Sequence, residues 1–106
     1  MPEYLPGIYQ RFSGDYPDVM QAFTALAERL HAAGPLTSRE RRLAKLGVAI
    51  GAESEGAVRS HTRKALADGI EPEAIRHACV LAITTAGYPA AIAAYGWINE
   101  VLEPSG

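Results

Sequence analysis

The chain has 106 residues, with ten basic side chains against twelve acidic ones and a formal net charge of -2. This length fits one domain over residues 1–106, and the balanced charge excludes the basic surface that nucleic acid or an anionic membrane would require. The single cysteine, Cys79, excludes an intrachain disulfide framework, and the first residues do not resemble a signal peptide, so we expect a cytoplasmic protein.

Residues 1–16 are rich in Pro, Gly and Tyr without any period, which predicts an N-terminal arm or loop. A helical spacing of apolar residues begins at Pro17 and predicts a first helix over 17–33, ended by Gly34 and Pro35. A second helix should follow Thr37 and end near Gly51, because the run Thr-Ser-Arg-Glu is typical of a capping box.

Three more helices complete the prediction. The third should begin around Glu53 and stop at Gly69, and the fourth should run from Pro72 to Ala86. Gly-Tyr-Pro then interrupts the chain before a fifth helix over 89–102. Because no β-type alternation is present, we expect an all-α, five-helix domain.

Residues 77–99 contain no Asp, Glu, Lys or Arg. The Gly-Tyr-Pro interruption divides this stretch into two halves, each shorter than the ~20 apolar residues of a membrane span. A hairpin of two such apolar helices favours burial against other copies of the chain, so we expect a homo-oligomer and no membrane partner. A monomer with the fifth helix at its centre is the alternative.

His61 is the first candidate for a functional residue. It shares the helical spacing of Ser54, Val58 and Ala65, which places it on the inward stripe of the third helix. Two interpretations stay open: a structural core histidine, or a general acid/base in a pocket. Glu55 is its best carboxylate companion, but the two lie roughly 120° apart on a regular helix, so contact needs a loose first turn or a neighbouring subunit.

Arginines supply candidates for binding a carboxylate. A fork for such a group could come from Arg41, Arg42, Arg59 and Arg63. Arginines also solvate helix faces or pair with glutamates one helical turn away, as Arg59 and Glu55 would. His31 and His77 have no ligands at metal-binding spacing, so we expect no metal site. Cys79 lies on an apolar stripe, which indicates an inert core residue.

Several motifs in a fixed order resemble one family. Over residues 36–102 the chain is similar to the carboxymuconolactone decarboxylase and alkylhydroperoxidase family, and its matching pieces are Arg41-Arg42-Leu43, Glu55, His61-Thr62-Arg63, Leu66-Ala67-Asp68-Gly69, Glu73-Ala74-Ile75 and Ala86-Gly87-Tyr88-Pro89-Ala90-Ala91. This resemblance implies an all-helical fold and a trimer or hexamer whose active sites lie near subunit contacts.

The alkylhydroperoxidase branch of that family uses a Cys-x-x-Cys-x-x-x-His motif and a glutamate on the preceding helix. Here the cysteine positions hold Ser54 and Ala57, and the glutamate position holds Arg42. Thiol peroxidase chemistry requires a thiolate, so the antioxidant activity of that branch is the least favoured function. The decarboxylase branch is closer, because it shares Arg41, Glu55 and His61, although the second acid that this branch tends to carry is replaced by Ala57.

The resemblance therefore implies a cofactor-free decarboxylation or lactone-processing reaction on a small carboxylated metabolite. In this hypothesis His61 and Glu55 are catalytic, and Arg41 or Arg59 holds the carboxylate. The alternative is a non-catalytic ligand-binding or assembly module that retains the same scaffold.

Overall fold

The computed structural model describes residues 7–104, and within this range the chain forms helices and no strands. Seven helices follow one another: α1 Gly7–Asp15, α2 Pro17–Ala32, α3 Ser38–Gly51, α4 Glu55–Ala67, α5 Pro72–Leu81, α6 Ile83–Ala86 and α7 Tyr88–Leu102. The all-α class is confirmed, whereas the expected number of five helices is not. No helix within the described range has the length and hydropathy that a membrane span requires.

The predicted N-terminal loop is wrong for residues 7–15, which form α1. Its sequence places Ile8 and Phe12 one turn apart, and an ion pair of 2.7 Å joins Arg11 to Asp15 with the same spacing. The helical hydrogen bonds continue into α2, because the amide of Tyr16 donates to the carbonyl of Phe12. Residues 1–6, the rest of the expected loop, lie outside the described range.

The predicted fourth helix is present as α5 and the single turn α6. Ala82, between them, keeps helical dihedral angles of φ -71° and ψ -17°. Its amide donates to the carbonyl of Cys79, three residues back, at 3.0 Å. A single turn with this three-residue hydrogen bond interrupts the regular α-helical bonding pattern. It does not change the spacing of the apolar residues, so the sequence pattern does not predict the break between α5 and α6.

The chain divides into two compact units, residues 1–35 and 36–106. The first contains α1 and α2, neither of which has a buried residue. The second contains α3 to α7, in which α3 packs on α4, and α4 and α5 pack on α7. The expectation of one domain over the whole chain stays a prediction.

The second unit has an aliphatic core. Its largest fully buried side chains come from α3, α4, α5 and α7, and they are Leu46, Ile50, Val58, Thr62, Ile75, Cys79 and Ile98. The thiol of Cys79 donates to the carbonyl of Ala91 at 3.2 Å, and burial raises the pKa of this thiol. Cys79 is therefore a core residue without thiolate character, as the sequence indicates.

The start of α3 is fixed by the predicted capping box. The hydroxyl of Thr37 accepts a hydrogen bond from the amide of Glu40 at 3.1 Å, and the Glu40 carboxylate accepts one from the amide of Thr37 at 2.8 Å. These two bonds satisfy amides that would otherwise lack partners at the helix N-terminus.

Candidate functional site

His61 lies on α4 at the edge of the face that packs into the core. Val58, Thr62 and Ala65 are buried on that face, whereas His61 is half-buried. Among residues 7–104, the buried polar side chain is that of Thr62, whose hydroxyl donates to the carbonyl of Val58 at 2.8 Å. His61 is consequently accessible from the protein surface while most of α4 around it is fixed by packing.

Arg42 of α3 is the direct neighbour of the His61 ring. Its Nη1 lies 3.3 Å from Nδ1 of His61, and its Nε donates to Oδ2 of Asp68 at 2.9 Å. A guanidinium can only donate, so Nδ1 must accept and the ring proton resides on Nε2. Arg42 thus selects one neutral tautomer of His61, and Asp68 at the end of α4 holds Arg42 in place.

The surroundings of His61 are cationic. Burial first, and then the positive charges of Lys64, Arg42 and Lys45, lower the pKa of His61 to about 4. Burial and the same charges of Arg42 and Lys45 also lower the pKa of Lys64, while Asp68 acts in the opposite direction. We refer to Arg42, Lys45 and Lys64 as the cationic cluster. At neutral pH it surrounds an uncharged imidazole, an arrangement suited to an anionic ligand.

Glu55 does not accompany His61 within the chain. Its carboxylate lies 3.1 Å from Nη2 of Arg59, and the same nitrogen lies 2.7 Å from Oε1 of Glu100 in α7. The hydrogen bond to Glu100 is the main cause of a raised pKa of Arg59. Arg59 therefore pairs with Glu55 one turn away, which was the alternative to its binding a substrate carboxylate. Through Glu100, the same ion network joins α4 to α7.

Arg41 is also separate from the His61 site in its contacts. Its Nη1 donates to the carbonyl of Leu36 at 2.7 Å, which anchors the segment before α3. Of the four predicted site residues, His61 alone thus lies beside the cationic cluster. Sequence reasoning named Arg42 as a candidate for binding a carboxylate but missed Lys45 and Lys64. Arg42 with Lys45 and His61 with Lys64 each have the three-residue spacing that puts two side chains on one helix face.

A separate groove of about 770 Å³ lies on the second unit. It is lined by α3, α5 and α6 and includes Arg39 and His77, but His61 is not among its lining residues. Within residues 7–104, no three His, Cys, Asp or Glu side chains are grouped as metal ligands would be. His61 and its cationic neighbours thus form a site separate from this groove.

These observations define a class of protein: an all-helical unit with a site of ionisable side chains between two adjacent helices. The sequence model of the carboxymuconolactone decarboxylase family matches residues 17–100, and the chain belongs to this family. The match begins with α2, earlier than the motifs recognised from residue 36 onwards. Comparison with curated proteins and comparison with solved structures gave no match.

Proposed function

We propose that this protein binds a small carboxylated metabolite at the cationic cluster and carries out a cofactor-free acid/base reaction on it, either decarboxylation or lactone processing. One observation carries the proposal: the neutral imidazole of His61 lies 3.3 Å from the guanidinium of Arg42. Family membership supports the same chemistry. A cytoplasmic location is proposed with it, since the chain has a single cysteine.

The charges near His61 favour an anion with a small polar head. Arg42 is held by Asp68 through Nε, and its Nη1 is directed towards the ring of His61. A carboxylate that accepts from Nη1 of Arg42 would replace the imidazole as the partner of that nitrogen. Such a ligand would also offset the positive charge of Lys64, which lies on the same helix as His61.

This exchange of partners gives His61 a means to take up a proton. Once Arg42 donates to the substrate carboxylate, Nδ1 of His61 has a free lone pair, and the nearby anion raises the pKa of the ring from its low value. The ring can then bind a proton from solvent. A histidine whose pKa approaches the operating pH is an effective general acid/base.

In a decarboxylation, the bond between the carboxylate carbon and its neighbour breaks and CO₂ leaves. The electron pair stays on the substrate as an enolate or carbanion, which the positive charges of Arg42 and Lys45 would stabilise. The imidazolium of His61 then returns a proton to the carbon that lost CO₂. Mass and charge balance, because one proton is taken up for each CO₂ released.

The proposal does not use three of the predicted site residues as catalytic or carboxylate-binding groups, namely Glu55, Arg59 and Arg41. Within one chain Glu55 and Arg59 bind each other, and Arg41 binds the carbonyl of Leu36. Their described contacts therefore do not join them to the cationic cluster.

The test is turnover of a panel of carboxylated lactones, measured as CO₂ release and as loss of substrate absorbance. His61→Gln should lower kcat by ~100-fold or more, and Arg42→Gln should both raise KM and lower kcat, because Arg42 binds the carboxylate and also stabilises the enolate. Arg63→Gln is the matched control, since it removes a charge from α4 that is not a cause of the pKa shift of His61. Equal activity of the wild type and His61→Gln would contradict the proposal.

A non-catalytic binding module is the second candidate function. It is favoured by the absence of a free carboxylate among the groups described around His61, because Asp68 is bonded to Arg42. In that case calorimetry would detect binding of a carboxylated lactone, lost in Arg42→Gln, while no substrate is consumed. Turnover that depends on His61 would exclude this function.

A further inference from the structure

Side-chain amines are confined to one place in this chain. Its two lysines, Lys45 and Lys64, both belong to the cationic cluster, and the remaining positively charged side chains are arginines. Lys64 lies three residues after His61 and four residues before Asp68, so the three side chains share one face at the end of α4. The amine of Lys64 is therefore placed beside an imidazole that the proposed function uses for proton transfer.

Lys64 has no carboxylate partner of its own among residues 7–104, because no ion pair in this range includes its ammonium. Asp68, one turn further along the chain, is bonded to Nε of Arg42 at 2.9 Å. Burial, and then the charges of Arg42 and Lys45, lower the pKa of Lys64, although Asp68 acts in the opposite direction. The crowding of three cations around one bonded carboxylate thus favours the neutral form of this amine.

A neutral lysine amine is a nucleophile towards ketones and aldehydes. Proteins activate it by burial or by neighbouring cations, because both favour loss of its proton. Both are present at Lys64, while part of its side chain stays exposed on the second unit, where a small molecule can approach it. His61 can exchange protons with the carbonyl oxygen, as the reaction of an amine with a ketone requires. The two residues together supply a nucleophile and an acid/base.

We propose that the amine of Lys64 forms an imine with the ketone group of a β-keto acid whose carboxylate is bound by Arg42. This inference rests on the proposed function for the binding of the carboxylate, and it names β-keto acids as the substrate class. The advantage over acid/base chemistry alone is a cationic nitrogen bonded to the substrate, which accepts the electron pair that CO₂ leaves behind.

Formation of the imine balances as a condensation. The nitrogen lone pair of Lys64 forms a bond to the carbonyl carbon, and the oxygen takes a proton from His61, which is protonated from solvent once Arg42 binds the carboxylate. The nitrogen then returns a proton to His61. The ring passes this proton to the hydroxyl group, which leaves as water. Neutral amine, ketone and one proton thus give an iminium ion and one water molecule.

Loss of CO₂ follows from the iminium ion. The bond between the carboxylate carbon and the α-carbon breaks, its electron pair forms a C=C bond, and the π electrons of the C=N bond move onto nitrogen. The resulting enamine takes up a proton on carbon. Water then hydrolyses the iminium ion, which releases the ketone, the amine of Lys64 and one proton. Overall, one proton is taken up for each CO₂ released.

Reductive trapping tests the imine without requiring turnover. Levulinate, a γ-keto acid, carries a ketone and a carboxylate but does not lose CO₂ through an imine. Sodium cyanoborohydride reduces the C=N bond and makes the adduct permanent, and mass spectrometry of peptides locates it. We expect an adduct at Lys64 that forms at least ~10-fold faster than one at Lys45, because Lys64 combines an activated amine with the acid/base His61. Equal labelling of the two lysines, or none, would overturn the proposal.

Moving the amine by one residue provides the matched control. The double variant Lys64→Arg/Arg63→Lys keeps the net charge, and adjacent helix positions point ~100° apart, so the amine leaves the face of His61. Arg63 is not a cause of the pKa shift of His61. With helicity unchanged by circular dichroism, the variant should form the levulinate adduct at least ~10-fold more slowly than the wild type. Equally fast trapping at position 63 would contradict the assignment to Lys64.

Turnover separates this inference from the proposed function. CO₂ release from acetoacetate, a β-keto acid, should fall ~100-fold or more in Lys64→Arg, because arginine keeps the charge but does not form the imine. If lactones are consumed in a reaction that depends on His61 but no adduct forms at Lys64, this inference fails and the proposed function stands. If the adduct forms but neither acetoacetate nor any lactone is consumed, the proposed function fails and Lys64 remains a covalent site for keto acids.

Discussion

The stability of the protein should depend on pH through His61. An unfolded histidine has a pKa of ~6.5. In the folded chain, burial and then the charges of Lys64, Arg42 and Lys45 lower the pKa of His61 to about 4. Because the folded pKa is the lower one, the unfolded chain binds the proton first. The contribution of His61 to stability is therefore complete above pH 6.5 and is lost as the pH falls from 6.5 towards 4.

The magnitude follows from the size of this shift. A difference of one pKa unit corresponds to ~1.4 kcal/mol, so full expression of the shift would change the free energy of unfolding by ~3 kcal/mol. His61 is half-buried, and solvent screening reduces the effect of its charged neighbours. Between pH 7.5 and pH 5.0 we therefore expect a loss of ~1 kcal/mol attributable to His61.

Urea unfolding followed by circular dichroism measures this loss. The wild type, His61→Gln and His77→Gln are compared at both pH values and at one protein concentration, since an oligomer makes stability concentration-dependent. His77 is exposed and serves as the matched control. The wild type and His77→Gln should lose ~1 kcal/mol more than His61→Gln between the two pH values. Equal losses in all three proteins would refute the placement of His61 among these cations.

Three further predictions concern the cluster, the helix cap and the core. Arg42→Gln removes one of the positive charges near His61 and should raise the pKa of that ring by ~0.5–1 unit, measured by NMR titration; an unchanged pKa would contradict the contact. Thr37→Ala should cost ~1 kcal/mol in urea unfolding through loss of the capping box, and an effect below ~0.3 kcal/mol would count against it. Ile98→Ala should lower the free energy of unfolding by about 2–5 kcal/mol, because the cavity left behind costs ~24 cal/mol per Å³. The control Ile92→Ala, at an exposed position, should lower it by well under ~1 kcal/mol. Similar losses in the two variants would refute the assigned core.

Local rules of sequence were sufficient for most of the helices. The capping box at Thr37 and the Gly-Tyr-Pro interruption each gave a boundary within one or two residues of the structure. The helix α1 was missed because its two glycines and the Pro, Gly and Tyr residues around it resemble a loop. The evidence in favour of a helix was one possible ion pair and one pair of apolar residues a turn apart. Such short-range interactions add only ~0.2–0.5 kcal/mol each, too little to outweigh composition in a prediction.

The candidate site was predicted less completely than the fold. His61 was identified as the central residue, but Glu55 was expected as its companion because both lie on α4. The neighbour observed is Arg42, which lies on α3 and contacts the ring only after the two helices pack. Helical spacing describes one helix at a time, so contacts between helices require either a structure or a family resemblance.

One glycine controls how the last helix enters the core. Gly87 alone separates α6 from α7, and its dihedral angles of φ 102° and ψ 150° are accessible to glycine but strained for any residue with a side chain. A Cβ placed there would meet only Cδ of Pro89, at the ordinary contact distance of 3.9 Å. The restriction therefore comes from the backbone angles, and movement of neighbouring side chains would not relieve it. Every substitution at position 87 should accordingly strain the backbone between α6 and α7, and a smaller replacement side chain should not relieve this strain.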